Sequence, residues 1–349
     1  MSQFHQLKIK EINRETDKCV TICFEVPENL KETFQFKAGQ YVTLKTKINN
    51  KEIRRDYSIC EAPKSGELKV AVKEVENGVF SKFANRVLKA NDVLEVAPPQ
   101  GRFVFEPDAK KQRTIVAFAA GSGITPIMSI AKTILKQEPN STFVLIYGNK
   151  TPKDTIFFSE LLELHHNYLE NFKLQMVFSQ SEEDNALFGR IEKSTVNFIV
   201  KNKYKHVSID DFYICGPEQM IETVKEVLIE NDVKEQSIHF ELFTASKEDS
   251  KTINAEGATE ITVIVDEEEI TFTMSQKKTI LEAALAEHID APYSCQGGIC
   301  SSCIARVTEG DVEMRQNNIL TDSEIAEGLT LTCQAQPKSK KVVIDYDDI

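Results

Sequence analysis

Four cysteines towards the C-terminal end constrain this chain more than any other feature. They are Cys295, Cys300, Cys303 and Cys333, so the spacing is C-x4-C-x2-C with a fourth cysteine thirty residues later. This spacing is typical of plant-type [2Fe–2S] sites, in which four thiolates hold two iron ions. Gly297 and Gly298 would let the loop turn tightly and bring backbone N–H groups towards the sulfurs. We therefore predict that these four cysteines bind an iron–sulfur cluster.

Two alternatives for these cysteines are a structural zinc site and a set of free, buried thiols. Zinc sites favour paired C-x2-C knuckles, and only one such pair occurs here. The other four of the eight cysteines are scattered, and the six histidines show no metal-ligand spacing. A disulfide framework is not expected in a cytosolic chain of this size. The spacing therefore favours the cluster.

Length and composition bound the class of protein. The 349 residues suggest two or three domains at roughly 150 residues each. With 41% apolar and 28% charged residues, the chain is not expected to be disordered, collagen-like or membrane-embedded. No apolar run reaches the ~18 residues of a transmembrane helix, and the polar N-terminus lacks a signal-peptide core. These observations predict a cytoplasmic protein without membrane insertion.

The negative charge is concentrated in the last quarter of the chain. Residues 259–349 hold 17 acidic and 7 basic residues, a net charge of −10, whereas the rest of the chain carries only −2. An acidic segment argues against binding nucleic acid, whose phosphates need a basic face. It suits a basic patch on a partner protein, or it simply keeps the surface soluble.

The apolar pattern changes three times along the chain. Short alternating runs at 19–26, 40–46 and 67–75 predict an antiparallel barrel or sandwich over residues 1–108, with one helix at 79–88. Over residues 109–244, strand runs at 114–120, 142–148, 174–180 and 211–216 alternate with amphipathic helices, which is typical of a doubly wound parallel sheet. Residues 245–258 are small and polar and predict a linker. Residues 259–349 predict an α+β unit, in which a capping box, Thr321 to Glu324, opens a short helix.

Two motifs in the first segment suit a flavin. Arg55-Asp-Tyr57-Ser58 stands at the end of a β run and offers a guanidinium for phosphate, a ring for stacking and a hydroxyl near a ring nitrogen. Twenty residues later, Gly78-Val-Phe-Ser81 opens a helix, a position that suits a pyrophosphate. Taken alone, each motif is also typical of surface and packing residues in a β domain.

Two motifs in the second segment suit a dinucleotide. Ala119-Ala-Gly121-Ser-Gly123-Ile-Thr125-Pro126 follows a buried strand and opens a helix, so it presents bare backbone donors and a helix dipole to a phosphate. Proline occupies the third glycine position of G-x-G-x-x-G, which fits the first turn of a helix. Cys215-Gly216-Pro217 stands at another strand-to-helix corner, where a small thiol would leave room for a nicotinamide ring. Packing is the alternative for both motifs.

The whole set of motifs, in this order, resembles the ferredoxin–NADP reductase family, in the branch that carries a C-terminal plant-type ferredoxin. The runs at 178–180, 188–191 and 238–243 are similar to the reductases of phenylacetate degradation within that family. The resemblance implies an FAD-binding antiparallel β-barrel domain over 1–108 and an NAD(P)-binding α/β doubly wound parallel-sheet domain over 109–244. After the linker it implies an α+β ferredoxin domain of the β-grasp type over 259–349.

The resemblance also assigns roles to residues. The flavin motif is matched by Arg55, Tyr57 and Ser58, with Ser58 facing the N5 region, and the flavin diphosphate segment by Gly78, Val79, Phe80 and Ser81. The nicotinamide nucleotide turn is matched by Gly121, Ser122, Gly123, Thr125 and Pro126. Residues near the nicotinamide–flavin contact are matched by Cys215 and Glu241, and an aromatic beside the flavin by Phe243. Gly216 and Pro217 are further predicted cofactor-binding residues. Ser58, Cys215 and Glu241 are thus the predicted catalytic residues.

The nucleotide preference is open at this point. Ser179 and Arg190 match positions at the adenosine ribose or its 2′-phosphate. The Arg expected after the serine is replaced by Gln180, and acidic residues follow at 182–184. Arg190 and the likeness to the phenylacetate reductases favour NADPH over NADH.

The combination predicts an electron-transfer enzyme. NAD(P)H donates two electrons as hydride and a [2Fe–2S] cluster accepts one, so a flavin between them acts as the converter. The enzyme is expected to deliver single electrons to a partner oxygenase, and the favoured partner is the phenylacetyl-CoA epoxidase system. The alternatives are a reductase for an aromatic-ring dioxygenase, a steroid hydroxylase or a desaturase, and a non-enzymatic iron–sulfur carrier or sensor.

Overall fold

The structure, a computed structural model, describes residues 4–243 and 257–349. These residues form two compact units, one of residues 4–243 and one of residues 257–349. The linker predicted over 245–258 lies outside the described residues, apart from Gly257 and Ala258, and Ala258 already begins a strand. In the part of the chain that is described, no helix combines the length and the apolar character needed to cross a bilayer.

Alternating apolar residues in the first segment form a six-stranded antiparallel sheet around a common core. Its strands are β1 (His5–Thr16), β2 (Cys19–Glu25), β3 (Tyr41–Ile48), β4 (Lys51–Ser58), β5 (Leu68–Lys73) and β6 (Val93–Val96). Their order is β4-β3-β6-β1-β2-β5, and helix α1 (Val79–Arg86) connects β5 to β6. An isolated bridge between Ile59, just after β4, and Val70 in β5 joins the two edges. The sheet is thereby closed into the expected barrel.

Continuous apolar runs in the second segment form a parallel sheet. Its strands are β7 (Thr114–Ala120), β8 (Thr142–Asn149), β9 (Phe172–Phe178), β10 (Leu187–Phe188), β11 (Asp211–Gly216) and β12 (Ile238–Leu242). The connecting helices are α2 (Ile124–Gln137), α3 (Phe158–Asn167), α4 (Lys193–Asn197) and α5 (Glu218–Glu230), and a π-helical stretch, Phe198–Lys203, follows α4.

The strand order β10-β9-β8-β7-β11-β12 places the functional edge of this sheet. Every neighbouring pair is parallel, and the winding reverses between β7 and β11. Ligands of such sheets bind outside the carboxyl ends of the strands at this reversal. The residues that follow β7 and end β11 are Gly121 and Gly216, so both predicted nucleotide motifs lie at this point.

Residues 257–349 form the α+β unit. Five strands have the order β14-β13-β19-β15-β17, and a two-stranded sheet pairs β16 with β18. The ranges are β13 (Ala258–Val265), β14 (Glu268–Ser275), β15 (Ile304–Glu309), β16 (Val312–Met314), β17 (Leu329–Leu331), β18 (Ala335–Pro337) and β19 (Lys341–Asp345), with α6 (Ile280–Ala286) and α7 (Asp322–Ala326). The predicted capping box opens α7: the N–H of Thr321 donates to Glu324, and the N–H of Glu324 donates back to Thr321 Oγ1.

A buried ion-pair network connects the barrel to the parallel sheet. Lys132, on α2, has only 5% of its side chain exposed and donates to the carboxylate of Glu61, which follows β4. Its Nζ also lies 2.6 Å from Glu160 Oε1 on α3 and 3.3 Å from the carbonyl oxygen of Cys60. Burial opposes the charge on Lys132, but the two carboxylates outweigh it and raise the pKa of this lysine. The network therefore fixes how the two sheets pack together.

Candidate active site and cluster site

The predicted flavin motif lies at the carboxyl end of β4. The ring of Tyr57 packs on Phe80 of α1, with 5.4 Å between ring centroids, and burial raises the pKa of Tyr57. Arg55 is exposed and donates from Nη1 to the Arg54 carbonyl at 2.6 Å, whereas Ser58 is 4% exposed. The structure thus places an exposed guanidinium, an aromatic face and a buried hydroxyl within four residues of one strand.

The predicted diphosphate segment forms the start of α1. Gly78 is the N-cap residue, Val79 is exposed and Phe80 is buried. The hydroxyl oxygen of Ser81 accepts a hydrogen bond from the N–H of Val75 at 3.2 Å. Ser81 therefore ties the helix start to the segment that follows β5, and the backbone N–H groups of the first turn are of the kind that suits an anion.

The predicted nucleotide turn packs tightly against the end of β11. Gly121 has φ +55°, and a Cβ atom on Gly123 would lie only 2.1 Å from the carbonyl oxygen of Cys215. Thr125 donates its hydroxyl hydrogen to the Ser122 carbonyl at 3.0 Å, and Pro126 is buried in the first turn of α2. Glycine at 123 is therefore required by close approach of two backbones.

The three predicted catalytic residues come together. Cys215 on β11 and Glu241 on β12 are paired in register, and Ser58 Oγ donates to Glu241 Oε2 at 3.3 Å across 183 residues of sequence. Desolvation raises the pKa of Glu241 to about 8, and the charge of Asp56 adds to this, while the bond from Ser58 lowers it. Desolvation also raises the pKa of Cys215 well above its usual value, so this thiol stays neutral.

The remaining predicted residues lie around the same edge of the sheet. Pro217 is the N-cap residue of α5, and Phe243 packs against the buried core beneath the sheet. Ser179 follows β9, and its N–H donates to the Asn149 carbonyl at 3.0 Å. Arg190 is exposed and lies just after β10, which pairs with β9. Ser179 and Arg190 are thus brought to neighbouring strand ends.

Sequence reasoning missed two residues at the nucleotide turn. The Lys73 ammonium, at the end of β5, lies 3.2 Å from the position that a Cβ on Gly121 would take. Burial lowers the pKa of Lys73, and Lys150 lowers it further, while Cys19 and Asp154 oppose this. Tyr147 is fully buried, and its hydroxyl donates to the Gly121 carbonyl at 2.9 Å. The available signal for Lys73 was a lysine at the end of the barrel strand Leu68–Lys73, after the apolar run Val70–Val72.

The four predicted cluster ligands converge in the second unit. The thiol of Cys295 interacts with those of Cys300 and Cys333, and the thiol of Cys333 also interacts with that of Cys303, while all four remain free of disulfides. These interactions and the backbone N–H groups of two loop residues lower the pKa of Cys295, whereas the pKa of Cys333 is raised. Four thiols that are spread over 39 positions of the chain are thus held together.

The loop backbone also fits a cluster. The N–H of Gly297 donates to Cys295 Sγ at 3.3 Å, as the glycine-rich loop predicts. Within this loop, Gln296 (φ +54°) and Gly298 (φ +71°) have left-handed backbone conformations. The buried hydroxyl of Ser294, next to the first cysteine, has no hydrogen-bond partner among the described residues. An orphaned donor beside converging thiols is what an additional sulfur acceptor would satisfy.

A site for a single metal ion requires a different arrangement of ligands from a two-iron cluster. Among residues 4–243 and 257–349, no group of three or more His, Cys, Asp or Glu side chains is arranged to hold one metal ion. The fit of the cluster therefore rests on the convergence of the four thiols and on the loop donors, not on a ready-made mononuclear site.

Comparisons with known proteins agree with this division of the chain. Residues 6–105 match the family model of an oxidoreductase FAD-binding domain, residues 118–226 an oxidoreductase NAD-binding domain, and residues 263–338 a 2Fe-2S iron-sulfur cluster binding domain. Phthalate dioxygenase reductase, a solved structure, superposes with a TM-score of 0.62 at 24% identity and 98% coverage of both chains, which shows the shared fold.

Two curated relatives extend over the whole chain. One is a component of the 1,2-phenylacetyl-CoA epoxidase of Escherichia coli, which is 37% identical over 99% of both chains. The other is the ferredoxin reductase component of the 3-ketosteroid-9-alpha-monooxygenase of Rhodococcus rhodochrous, which is 30% identical over 97% of this chain and 96% of its own length. The chain therefore belongs to the family of ferredoxin reductase-type oxidoreductases that join FAD-binding, NAD-binding and 2Fe–2S cluster domains, to which this 1,2-phenylacetyl-CoA epoxidase component also belongs.

Proposed function

We propose that this NAD(P)H-dependent reductase supplies electrons to an oxygenase that epoxidises phenylacetyl-CoA. The observation that carries the proposal is the 37% identity to the phenylacetyl-CoA epoxidase component over 99% of both chains. The ketosteroid monooxygenase reductase, at 30% identity, is the relative that keeps a steroid hydroxylase as the second candidate. Matches to both the FAD-binding and NAD-binding models favour an enzyme over a cluster carrier with vestigial sites.

The site residues have distinct parts in this reaction. When bound, FAD and the cluster supply the conversion of a two-electron hydride donor into one-electron delivery. The strand end that holds Arg55 and Tyr57 offers charge and a stacking face to the flavin, and the first turn of α1 offers N–H donors to its diphosphate. The turn at Gly121–Gly123, at the start of α2, offers N–H donors to the nucleotide diphosphate.

Ser58, Cys215 and Glu241 hold the place where nicotinamide and flavin would meet. Cys215 is small, neutral and buried, so it leaves room for a ring without adding charge. Ser58 and Glu241 form a hydrogen-bonded pair, and the raised pKa keeps the Glu241 carboxyl protonated at neutral pH. The pair thus offers a neutral donor at this site.

The rate of flavin reduction is expected to fall as the pH rises through about 8, the pKa of Glu241. Above that pH Glu241 would be a carboxylate, and a negative charge in this site would disfavour hydride transfer; a barrier increase of about 1.4 kcal/mol would slow the step about tenfold. Stopped-flow reduction by NADPH between pH 6 and 9.5 measures this. In Glu241→Gln the step near pH 8 should vanish; a step that persists unchanged would assign the pH dependence to another group.

We assign the nucleotide preference to NADPH, because Arg190 is exposed and follows β10, which pairs with the strand that precedes Ser179. Arg190→Ala is expected to raise the KM for NADPH about tenfold, because one charge-assisted contact with the 2′-phosphate is lost. The KM for NADH should be unchanged, because NADH lacks that phosphate. Lys193→Ala is the matched control, since Lys193 pairs with Glu230 at 2.7 Å. Equal changes for both nucleotides would contradict the assignment.

Reconstitution with purified oxygenases tests the proposed partner. The reductase is mixed with the oxygenase component of a phenylacetyl-CoA epoxidase, or with that of a ketosteroid monooxygenase, and product formed per NADPH consumed is measured. Coupled epoxidation with the first and uncoupled oxidation with the second is the expected result. Coupled turnover with the steroid oxygenase alone would overturn the proposal.

The domain boundaries and the location are proposals of the same kind. We retain 1–108, 109–244 and 259–349 as the three domains, supported by the end of β6 at Val96, the start of β7 at Thr114 and the family-model ranges. We place the protein in the cytoplasm, because none of the eight cysteines, all in the described residues, is in a disulfide bond, as is usual in reducing compartments. Cell fractionation with detection of the chain tests this placement.

A further inference from the structure

The residue after the fourth cysteine bonds to both parts of the cysteine site. Gln334 is 8% exposed, and its side-chain amide Nε2 lies 3.6 Å from Cys333 Sγ and 3.0 Å from the carbonyl oxygen of Gln296. An amide NH₂ carries two hydrogens, so it donates both bonds at once. One bond reaches a predicted ligand sulfur, and the other reaches the loop immediately after Cys295.

The surroundings hold this side chain in place. A Cβ on Gly298 would lie 3.0 Å from Gln334 Cγ, so the loop backbone packs directly against the glutamine. The backbone of Gln334 is fixed as well: its N–H donates to the Leu331 carbonyl at 2.8 Å, and its carbonyl accepts from the N–H of Arg315 at 3.0 Å. The amide therefore has a single well-supported position between the two segments.

We propose that Gln334 is a positioning residue for the cluster. Its side-chain amide ties the Cys333 segment to the Cys295 loop, and its bond to the sulfur raises the reduction potential of the cluster. The proposal rests on the assignment of the four cysteines as ligands. Hydrogen bonds to ligand sulfurs stabilise the extra negative charge of the reduced state, and they are among the factors that set such potentials. The bond from Gln334 Nε2 to Cys333 Sγ is of this kind.

Gln334→Met removes the donor and keeps an unbranched side chain of similar length. In the full-length holoprotein, the ratio of reduced to oxidised cluster at a fixed potential should fall about threefold, which is about 28 mV at 59 mV per tenfold for one electron. An anaerobic redox titration followed by EPR measures the midpoint. Release of iron to a chelator from the oxidised protein should also be about tenfold faster. This is the lower end of the roughly 10–100-fold loss in metal affinity that follows removal of a hydrogen bond to a ligand.

Gln336→Met is the matched control. Gln336 is 1% exposed, lies two residues further along and donates from Nε2 to the Lys277 carbonyl, away from the cysteines. The reduction potential of the cluster and the rate of iron release in the Gln336→Met protein should equal those of the wild type. Flavin reduction by NADPH, which does not involve the cluster, should be unchanged in both variants.

The outcomes separate the possibilities. A shift confined to Gln334→Met, or a variant that fails to retain the cluster while Gln336→Met retains it, supports the positioning role. Equal potentials and equal iron release in both variants overturn it, as does cluster loss in both, which would indicate a requirement for burial alone. A wild-type protein that holds no [2Fe–2S] cluster would refute the ligand assignment itself, independently of Gln334.

Discussion

Replacement of Cys303 by serine is expected to abolish cluster binding while leaving flavin reduction intact. Cys303 is 1% exposed, and its carbonyl oxygen accepts from both the N–H and the hydroxyl of Thr332 at 3.1 and 3.0 Å, so the backbone stays in place when the thiol is lost. Loss of a hydrogen bond that supports a ligand lowers metal affinity or activity roughly 10–100-fold. Loss of a ligand itself should therefore reduce the rate of NADPH-driven cytochrome c reduction by more than about 100-fold.

Three measurements check this result. Iron and sulfide content, the visible spectrum and the EPR signal of the reduced protein report the cluster, and reduction of ferricyanide reports the flavin alone. Cys23→Ser is the control, because Cys23 is a buried cysteine of β2 outside the predicted site. A Cys303→Ser protein with the wild-type EPR signal, or a wild type that binds zinc in place of iron, would refute the ligand assignment.

Replacement of Lys132 by methionine is expected to destabilise residues 4–243 by about 3 kcal/mol, the lower end of the cost of breaking a buried ion pair. The lower end applies because Glu61 keeps a second partner, Lys69, at 3.4 Å. Lys132 is 5% exposed and its charge is matched by two carboxylates, so its loss leaves negative charge in a desolvated site. The melting temperature should fall by about 10 °C for a unit of this size.

Thermal and urea unfolding of the FAD-loaded protein measure this change. Lys136→Met, at an exposed residue in the last turn of the same helix, should change stability by less than about 0.5 kcal/mol. The double variant Lys132→Met with Glu61→Gln should recover most of the loss, since a neutral pair removes the uncompensated charge. Equal stability of Lys132→Met and Lys136→Met would show that the network contributes nothing to the packing of barrel on sheet.

The fold classes were predictable because periodicity is a local property. The strands Thr114–Ala120 and Asp211–Gly216 have the predicted bounds, since each is a continuous apolar run that ends in glycine or a turn. The two-residue strand at 187–188 and the strand at 238–242 were not identified as strands. One is too short for a pattern, and the other, at the edge of the sheet, is buried only at its two ends and so shows neither strict alternation nor a continuous apolar run. Their pairing depends on neighbours that are distant in sequence.

The candidate site also combines features that were predictable from the sequence with features that were not. The cysteine loop was recognisable because three of its four thiols lie within nine residues, and spacing alone carries that information. The bond from Ser58 to Glu241 spans 183 residues, and no periodicity or spacing encodes it. The raised pKa of Glu241 follows from desolvation in the folded chain and so could not be predicted from residue type.

The amino-acid order by itself determined three structural classes, the cofactor types and the spacing of the four cysteines that we propose as cluster ligands, because each depends on patterns within a few tens of residues. Only the tertiary structure decided which groups share an environment: Lys73 beside the nucleotide turn, Lys132 between two carboxylates, and Gln334 between two cysteine segments. The physical reason is that burial, close approach and charge pairing depend on distances through space, and folding brings together residues that the chain keeps far apart.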